Sequence, residues 1–209
     1  MVEHPEPGAP LADPHFSLAL ARHDGKLAKE FRSRSNGSRL EARTSVEEER
    51  MTGKVTMAAA TAGHAEGGTT LNAFDNALLA AGIGNINLIK VSSILPPEVP
   101  VIDLPKIKPG ALVPTAYAAV TSETPGEIIA AAVGYAVPDD PAKNGVIMEF
   151  HGVASRAEAE RQINLMLDEA FRVRGEIIKE KRVVAVEHTT QRIGCALAAI
   201  TLLGDEDLV

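Results

Sequence analysis

Two adjacent serines, Ser92 and Ser93, are the residues of this 209-residue chain best placed to do chemistry on the chain itself. They follow the aliphatic, β-branched run 86–91, which predicts a buried strand, and they precede Pro96-Pro97, which cannot continue a central ladder. The serines therefore fall where the backbone must leave a sheet. A Ser93 hydroxyl pressed against the Ser92 carbonyl carbon can attack it and move the acyl group from nitrogen to oxygen, leaving an ester. Turn or capping hydrogen bonds are the structural alternative.

Glu149 is the only charged residue in the strand-like segment VIMEFHGVA, residues 146–154. Among Ile147, Met148 and Phe150, burial would penalise the ionised carboxylate and favour the protonated form. A carboxyl group in that state suits a proton donor near neutral pH. The alternative is that strand alternation turns Glu149 toward solvent.

Asn87 and Asp75 are two further polar residues near the serines. The period-two geometry of a strand would put Asn87 on the same face as Ser93 if no bulge intervenes. An amide there can orient a carbonyl or bind a carboxylate, and its structural alternative is an edge asparagine bonded to backbone. Asp75 lies inside a predicted helix where it is not needed as a cap, so the residue alone indicates a solvent-facing carboxylate.

The elements that must position these side chains form a mixed α/β pattern. A helix is predicted over 71–81, capped by Thr69 or Thr70 and ended by Gly82, and a second begins at a Ser155–Glu158 capping box and ends at Gly175. A glycine-rich loop over 62–70 lacks the ending of a phosphate-binding P-loop. The predicted strands are 54–61, 86–91, 128–137, 146–154, 183–189 and 194–203. Strands outnumber helices, which favours a mainly antiparallel sheet with helices on its outer faces.

Composition narrows the class of protein. With 45% hydrophobic and 23% charged residues the chain can bury one core, and its net charge of −7 argues against nucleic acid or an anionic membrane as a partner. A single cysteine, Cys195, excludes an internal disulfide and a cysteine-based metal site, and no metal-ligand pattern emerges. We find no signal-peptide core or membrane span, so the cytoplasm is expected. Residues 1–50 are proline-rich, then polar and charged, which predicts a disordered extension before a domain over 51–209.

The longer string FDNALLAAGIGNINLIKVSSILPP, residues 74–97, together with GVIMEF, residues 145–150, resembles the pyruvoyl-dependent arginine decarboxylase family. The resemblance runs from roughly Met51 to Leu203. It implies a zymogen that cuts itself between Ser92 and Ser93, giving a β chain (1–92) and an α chain (93–209) that starts with a covalent pyruvoyl group derived from Ser93. It also implies a four-layer αββα sandwich of the α/β (α+β) class. The expected assembly is a trimer of αβ protomers, or a dimer of trimers, with active sites between subunits.

The resemblance assigns roles to the polar residues. Ser93 becomes the pyruvoyl precursor, Glu149 the general acid and Asn87 a catalytic residue, while Asp75, Gly84 and Asn87 bind the substrate. A carboxylate at Asp75 suits a planar guanidinium. The implied reaction converts L-arginine to agmatine and CO2 through a Schiff base on the pyruvoyl group, with polyamine biosynthesis or acid resistance as the pathway served. Two alternatives stay open: a pyruvoyl decarboxylase of another amino acid, and a non-catalytic oligomeric scaffold of the same fold.

Overall fold

The computed structural model describes residues 54–209, which form two β-sheets and two α-helices. The expected extension over 1–50 and the expected start of the domain at Met51 lie outside the described residues. The helices are α1 (Thr70–Ala80) and α2 (Arg156–Arg174), and a turn of 3-10 helix covers Asp205–Asp207. The strands are β1 (Met57–Glu66), β2 (Asn87–Lys90), β3 (Ile94–Leu95), β4 (Val101–Ile102), β5 (Leu112–Ser122), β6 (Ile128–Pro138), β7 (Gly145–Val153), β8 (Ile178–Thr189) and β9 (Gly194–Leu203).

The two sheets are mainly antiparallel, as the sequence predicts. The first sheet has the strand order β2-β5-β9-β1-β4, with antiparallel pairing in its centre and parallel pairing of the short edge strands β2 and β4. The second sheet has the order β3-β7-β6-β8 and is antiparallel throughout. The strands β2 and β3, which flank the two serines, are therefore edge strands of different sheets.

Three layers of apolar contact stack these elements into an αββα sandwich. One core, containing Ile129, Ile147 and Ile200, lies between the two sheets. A second core packs α2 on the outer face of the second sheet, and a third packs α1 on the outer face of the first. The expected four-layer architecture is confirmed.

Strand β9 shows how an alanine-rich sequence fills two layers at once. All ten of its residues are buried. Alternate residues face opposite sides of a strand, so Ala196, Ala198 and Ile200 enter the core between the sheets while Leu197 and Ala199 face α1. Cys195 also faces α1 as a buried free thiol, and burial raises its pKa to about 11. It is a small apolar packing residue, as the sequence indicates.

Helix α1 begins where the sequence predicts, but the strand before it is longer than expected. Thr69 caps the helix by accepting a hydrogen bond from the Asn72 backbone N–H at 3.2 Å. The predicted loop over 62–70 is wrong in its first half, because β1 continues to Glu66. A Cβ atom at Gly63 would lie 2.5 Å from the Ala77 carbonyl oxygen, so this glycine allows a helix to pack closely on a strand rather than a turn.

Helix α2 covers the second sheet and has the ends that the sequence predicts. Ser155 accepts a hydrogen bond from the Glu158 backbone N–H at 3.2 Å, and Gly175 ends the helix in the left-handed region at φ 68°. The Glu158 carboxylate bonds to the Arg161 side chain instead of returning to the cap, so only the serine half of the predicted capping box is formed.

The segment from β2 to β3 carries the chain from the first sheet to the second. The sequence predicts a buried strand here, but β2 is an outer edge strand in which Asn87, Ile89 and Lys90 are exposed. An aliphatic run is not diagnostic of burial when the strand has only one neighbour. Residues 91–93 form the crossing, so Ser92 and Ser93 lie between the two sheets' edges.

Candidate active site

Ser93 sits at the end of the crossing in an unusual backbone conformation. Its φ is 69°, in the left-handed region that costs a residue with a side chain about 1 kcal/mol or more. Its carbonyl oxygen accepts a hydrogen bond of 2.9 Å from the Ile147 backbone N–H, and the next residue begins β3 opposite Val146. The β7 backbone thus fixes the carbonyl of a strained serine, which is the kind of site where stored strain can serve chemistry.

Glu149 stands next to Ser93. The Ser93 hydroxyl donates a hydrogen bond to Glu149 Oε1. Glu149 is half-buried on β7 and shares its face with Ile147, a residue of the core between the sheets. The alternation of β7 therefore turns this carboxyl group inward, toward the crossing. A carboxylate bonded to a hydroxyl can remove its proton and make the oxygen nucleophilic.

Asn87 lies on β2 and is engaged with a neighbouring loop. Its side-chain Nδ2 donates to the Gly110 carbonyl oxygen at 3.0 Å, and its backbone N–H donates to the Ala111 carbonyl oxygen at 2.8 Å. The prediction that Asn87 and Ser93 share a strand face is wrong. Strand β2 ends at Lys90, and the crossing with its left-handed residue breaks the two-residue period before Ser93.

Asp75 is on the exposed face of α1, between two exposed leucines. Leu71 and Leu79, one helical turn to either side, are 73% and 50% exposed. The opposite face of α1, with Ala73, Ala77 and Leu78, is buried against the first sheet. Asp75 therefore stands on the outer layer of the sandwich, whereas Glu149 belongs to the second sheet.

Gly84 is required for packing in the turn between α1 and β2. A Cβ atom there would lie 2.7 Å from the Leu79 side chain and 2.8 Å from its backbone nitrogen. The exposure of Leu79 beside Asp75 therefore depends on a glycine at this position. The binding role expected for Gly84 remains a prediction.

The sequence does not identify two polar groups near Ser93 that take part in its surroundings. The Ile147 N–H that holds the Ser93 carbonyl is a backbone group of an apolar residue, so only the strand register reveals it. Lys90 is the other: its Nζ lies 4.8 Å from the centroid of the Tyr117 ring and donates to the Tyr117 carbonyl oxygen at 3.1 Å. Lys90, at the end of β2, therefore stabilises the position of the residues that begin the crossing through its contacts with Tyr117.

A pocket of about 390 Å³ lies beside the turn that follows β3, and neither Ser93 nor Glu149 lines it. Its wall includes Tyr135, whose hydroxyl donates to Glu180 Oε1 at 2.9 Å. Burial, together with this carboxylate, raises the pKa of Tyr135 to about 12. The pocket is therefore distinct from the Ser93–Glu149 pair.

Within residues 54–209, no group of three or more histidine, cysteine, aspartate and glutamate side chains is arranged to hold a metal ion. In the same part of the chain no helix is long and apolar enough to cross a membrane.

The family model and the similar sequences agree on one family. Residues 57–207 match the family model for pyruvoyl-dependent arginine decarboxylase. The pyruvoyl-dependent arginine decarboxylase of Methanocaldococcus jannaschii is 51% identical over 141 residues, which is 68% of this chain and 86% of the relative. That of Pyrococcus horikoshii is 45% identical over 141 residues, or 66% and 89% of the two chains. A solved pyruvoyl-dependent histidine decarboxylase at pH 8 matches 46% of this chain and 52% of its own, at 18% identity and a TM-score of 0.40, which is too distant to bear on the site.

Proposed function

Because the chain belongs to the pyruvoyl-dependent arginine decarboxylase family, we propose that it converts L-arginine to agmatine and CO2 with a pyruvoyl group made from its own Ser93. The family consists of decarboxylases, which are lyases, and membership implies a covalently bound pyruvoyl group. The observation that carries the proposal is the hydrogen bond from the Ser93 hydroxyl to Glu149 beside a left-handed backbone.

The residues at the crossing fit such a group. Ser93 supplies its carbon atoms at the start of β3, and the Ile147 N–H that now bonds the Ser93 carbonyl would hold the same oxygen in the product. Glu149 provides a half-buried carboxyl group next to the reacting atoms. A fixed carbonyl with an acid–base group beside it is the arrangement that the chemistry needs.

Self-cleavage follows from the same contacts. Glu149 takes the proton from the Ser93 hydroxyl as Oγ attacks the Ser92 carbonyl carbon. The bond from that carbon to the Ser93 nitrogen breaks, the nitrogen gains a proton, and an ester joins Ser92 to the Ser93 oxygen. Loss of the Ser93 α-proton and of the Ser92 carboxylate then gives dehydroalanine, whose hydrolysis releases ammonia and leaves the pyruvoyl group. The two chains produced are residues 1–92 and 93–209.

In turnover, a pyruvoyl group derived from Ser93 would supply a ketone for Schiff-base chemistry with the substrate amine and a sink for the electron pair released with CO2. Glu149, in its protonated form, donates a proton to the carbon atom that has lost CO2. Asn87, whose amide nitrogen is held by Gly110, aligns the reacting end of the substrate through its side-chain oxygen. The same carboxyl group thus acts first as a base and later as an acid.

Asp75 would grip the guanidinium of arginine. A carboxylate flanked by the exposed Leu71 and Leu79 suits a substrate that has a methylene chain and a planar cationic end. Since Asp75 is on the outer layer of α1 and Glu149 is on the second sheet, a site that uses both takes Asp75 from a neighbouring copy. This supports a homo-oligomer with shared sites, either a trimer of αβ protomers or a dimer of trimers.

The test is a decarboxylation assay of the full-length protein on arginine, lysine, ornithine and leucine, measuring CO2 and the amine product. We expect arginine to be preferred over lysine and ornithine by about 10-fold or more, because an ammonium cannot make the forked bond of a guanidinium. Ser93→Ala is the matched control and should be inactive. Preference for lysine or ornithine would move the assignment to another amino acid, and a correctly cut chain without any activity would contradict the proposed function.

A further inference from the structure

Three titratable side chains form a hydrogen-bonded chain between the two sheets, at the end of the sandwich where α2 begins. Glu66 and His64 are on β1 of the first sheet, and His188 is on β8 of the second. His188 Nε2 lies 2.5 Å from Glu66 Oε1, and His188 Nδ1 lies 3.0 Å from His64 Nδ1. None of these residues belongs to the machinery assigned above. Both contacts join one sheet to the other.

Neighbouring backbone groups and a glycine fix the positions of Glu66 and His188. The Glu66 carboxylate also accepts the backbone N–H groups of Gln191, Arg192 and Ile193, which form the crossing from β8 to β9. A Cβ atom at Gly194 would lie 2.5 Å from the His188 ring and 2.9 Å from Glu66 Oε1, so a glycine is needed beside them. His188 is 10% exposed at its side chain, whereas His64 is exposed and borders a groove beside the start of α2.

The contacts dictate where the ring protons lie. Glu66 stays ionised: burial alone would raise its pKa, but the three backbone N–H groups and His188 together lower it to about 2. His188 must therefore carry a proton on Nε2, facing the carboxylate. When His188 is neutral its Nδ1 is an acceptor, so His64 must donate from Nδ1. An exposed, neutral histidine is thereby held in its Nδ1–H tautomer.

The pair can accept one further proton but not two. A proton added to His64 Nε2 leaves the bond between the two Nδ1 atoms intact. A second proton puts N–H groups on both Nδ1 atoms, and they cannot remain 3.0 Å apart.

A second position is available to a protonated His64. The groove that it borders is lined by Glu160 and Arg156 of α2 and by Glu187 of β8. The Arg156 side chain already pairs with Glu160 at 2.7 Å, and the Glu187 carboxylate accepts the Arg156 backbone N–H at 2.6 Å. Two carboxylates therefore line the groove that His64 borders, and they can attract its imidazolium form.

We propose that Glu66, His188 and His64 form an acid-sensitive clasp between the two sheets: it is closed while the histidine pair holds at most one added proton, and it opens when both rings are protonated. The clasp links β1 to β8, and its opening does not depend on the proposed reaction.

The direct test is an imidazole ¹⁵N–¹H correlation spectrum of the full-length protein. At about pH 8, above the range in which histidine titrates, one ring should show the Nδ1–H tautomer, and His64→Ala should remove that signal while His151→Ala, a change at another exposed histidine, leaves it. The Nε2–H tautomer at His64 would overturn the proposal. So would loss of the Nδ1–H signal on treatment with a chelator, since the contact would then depend on a metal.

Thermal unfolding provides the second readout. His64 contributes one side-chain hydrogen bond to the clasp, so at about pH 8 His64→Ala should lower the unfolding midpoint by about 2–4 °C relative to the wild type. The difference should shrink and then vanish as the pH is lowered to about 5, which is acidic for an imidazole in general. An equal difference at both pH values would show that His64 acts by packing alone and would contradict an acid-sensitive clasp.

Discussion

Ser93 Oγ donates a hydrogen bond to Glu149 Oε1 across 56 residues of sequence, in the chain before any cleavage. The sequence gives Glu149 a role only as the acid of the later reaction. From its contact with the intact hydroxyl we propose that it also activates the nucleophile of the proposed self-cleavage.

Glu149→Gln should therefore slow both reactions. An amide keeps the shape of the side chain but can neither remove the hydroxyl proton nor return one, so cleavage and decarboxylation should each fall by about 10² to 10⁴-fold. The rate of cleavage is followed on denaturing gels, and decarboxylation is measured on the fraction that has been cut. Glu127→Gln is the matched control, because Glu127 accepts a hydrogen bond of 2.5 Å from the Ser122 hydroxyl away from the crossing. Cleavage of Glu149→Gln at the wild-type rate would remove the carboxylate from the first step.

The backbone strain at Ser93 should lower the free energy of unfolding by a measurable amount. Both Ser93→Ala and Ser93→Gly remove the nucleophile, so both chains should stay uncut. At φ 69° the glycine is relaxed and the alanine is not, and the glycine variant should be more stable by about 1 kcal/mol. Urea midpoints at equal slope give the comparison. Glu98, whose φ is 61°, serves as the control: the stability difference between its alanine and glycine variants gives the usual cost of a left-handed backbone in this protein. Equal midpoints for the two Ser93 variants would mean that the crossing is unstrained.

Asp75→Asn should weaken arginine binding while leaving self-cleavage intact. Losing a charge-assisted forked bond costs about 2–3 kcal/mol, so KM for arginine should rise by about 30- to 150-fold. Asp139→Asn, at another exposed aspartate, is the control and should leave KM unchanged.

Sharing of the site between subunits can be tested with the same variant. At arginine concentrations well below KM, where Asp75→Asn and Ser93→Ala chains are each nearly inactive alone, the two should recover up to about a quarter of the wild-type activity when co-expressed in equal amounts, because some interfaces then combine an intact Asp75 with an intact Ser93. No recovery in verified mixed oligomers would place both residues in one subunit.

Glu66 should make the fold sensitive to acid. Its folded pKa of about 2 is below the ordinary value of 4.5, so the stability that it contributes is fully present above about pH 4.5 and is lost as the pH falls toward 2. Discounted for solvent screening of a partly exposed carboxylate, the contribution is about 1 kcal/mol. Urea midpoints of the wild type should fall over this range, and those of Glu66→Gln should fall less. If the urea midpoint of Glu66→Gln fell with pH as much as that of the wild type, other groups would cause the loss of stability in acid.

The sequence is most informative about the helices and the central strands. The caps at Thr69, Ser155 and Gly175 are local in origin, since each depends on a few neighbouring residues, and the structure forms all three. The existence of strand β9 and the capped helix α2 can likewise be predicted from the sequence alone.

What the sequence does not reveal depends on neighbours distant in the chain. Gly63 marks a close helix contact instead of a loop, and β2 is an edge because, among the strands of residues 54–209, it pairs with β5 alone. The expected face shared by Asn87 and Ser93 fails because one left-handed residue resets the strand period. The Ile147 N–H could not be found at all, since backbone groups leave no trace in residue identity.

Self-cleavage at the crossing and conversion of Ser93 into a pyruvoyl group can be tested by measuring the intact mass of the purified full-length protein under denaturing conditions. We expect two chains, residues 1–92 and 93–209, the second lighter by one ammonia than a chain that starts with serine. A single chain of 209 residues that persists after prolonged incubation of the folded, assembled protein would contradict self-cleavage.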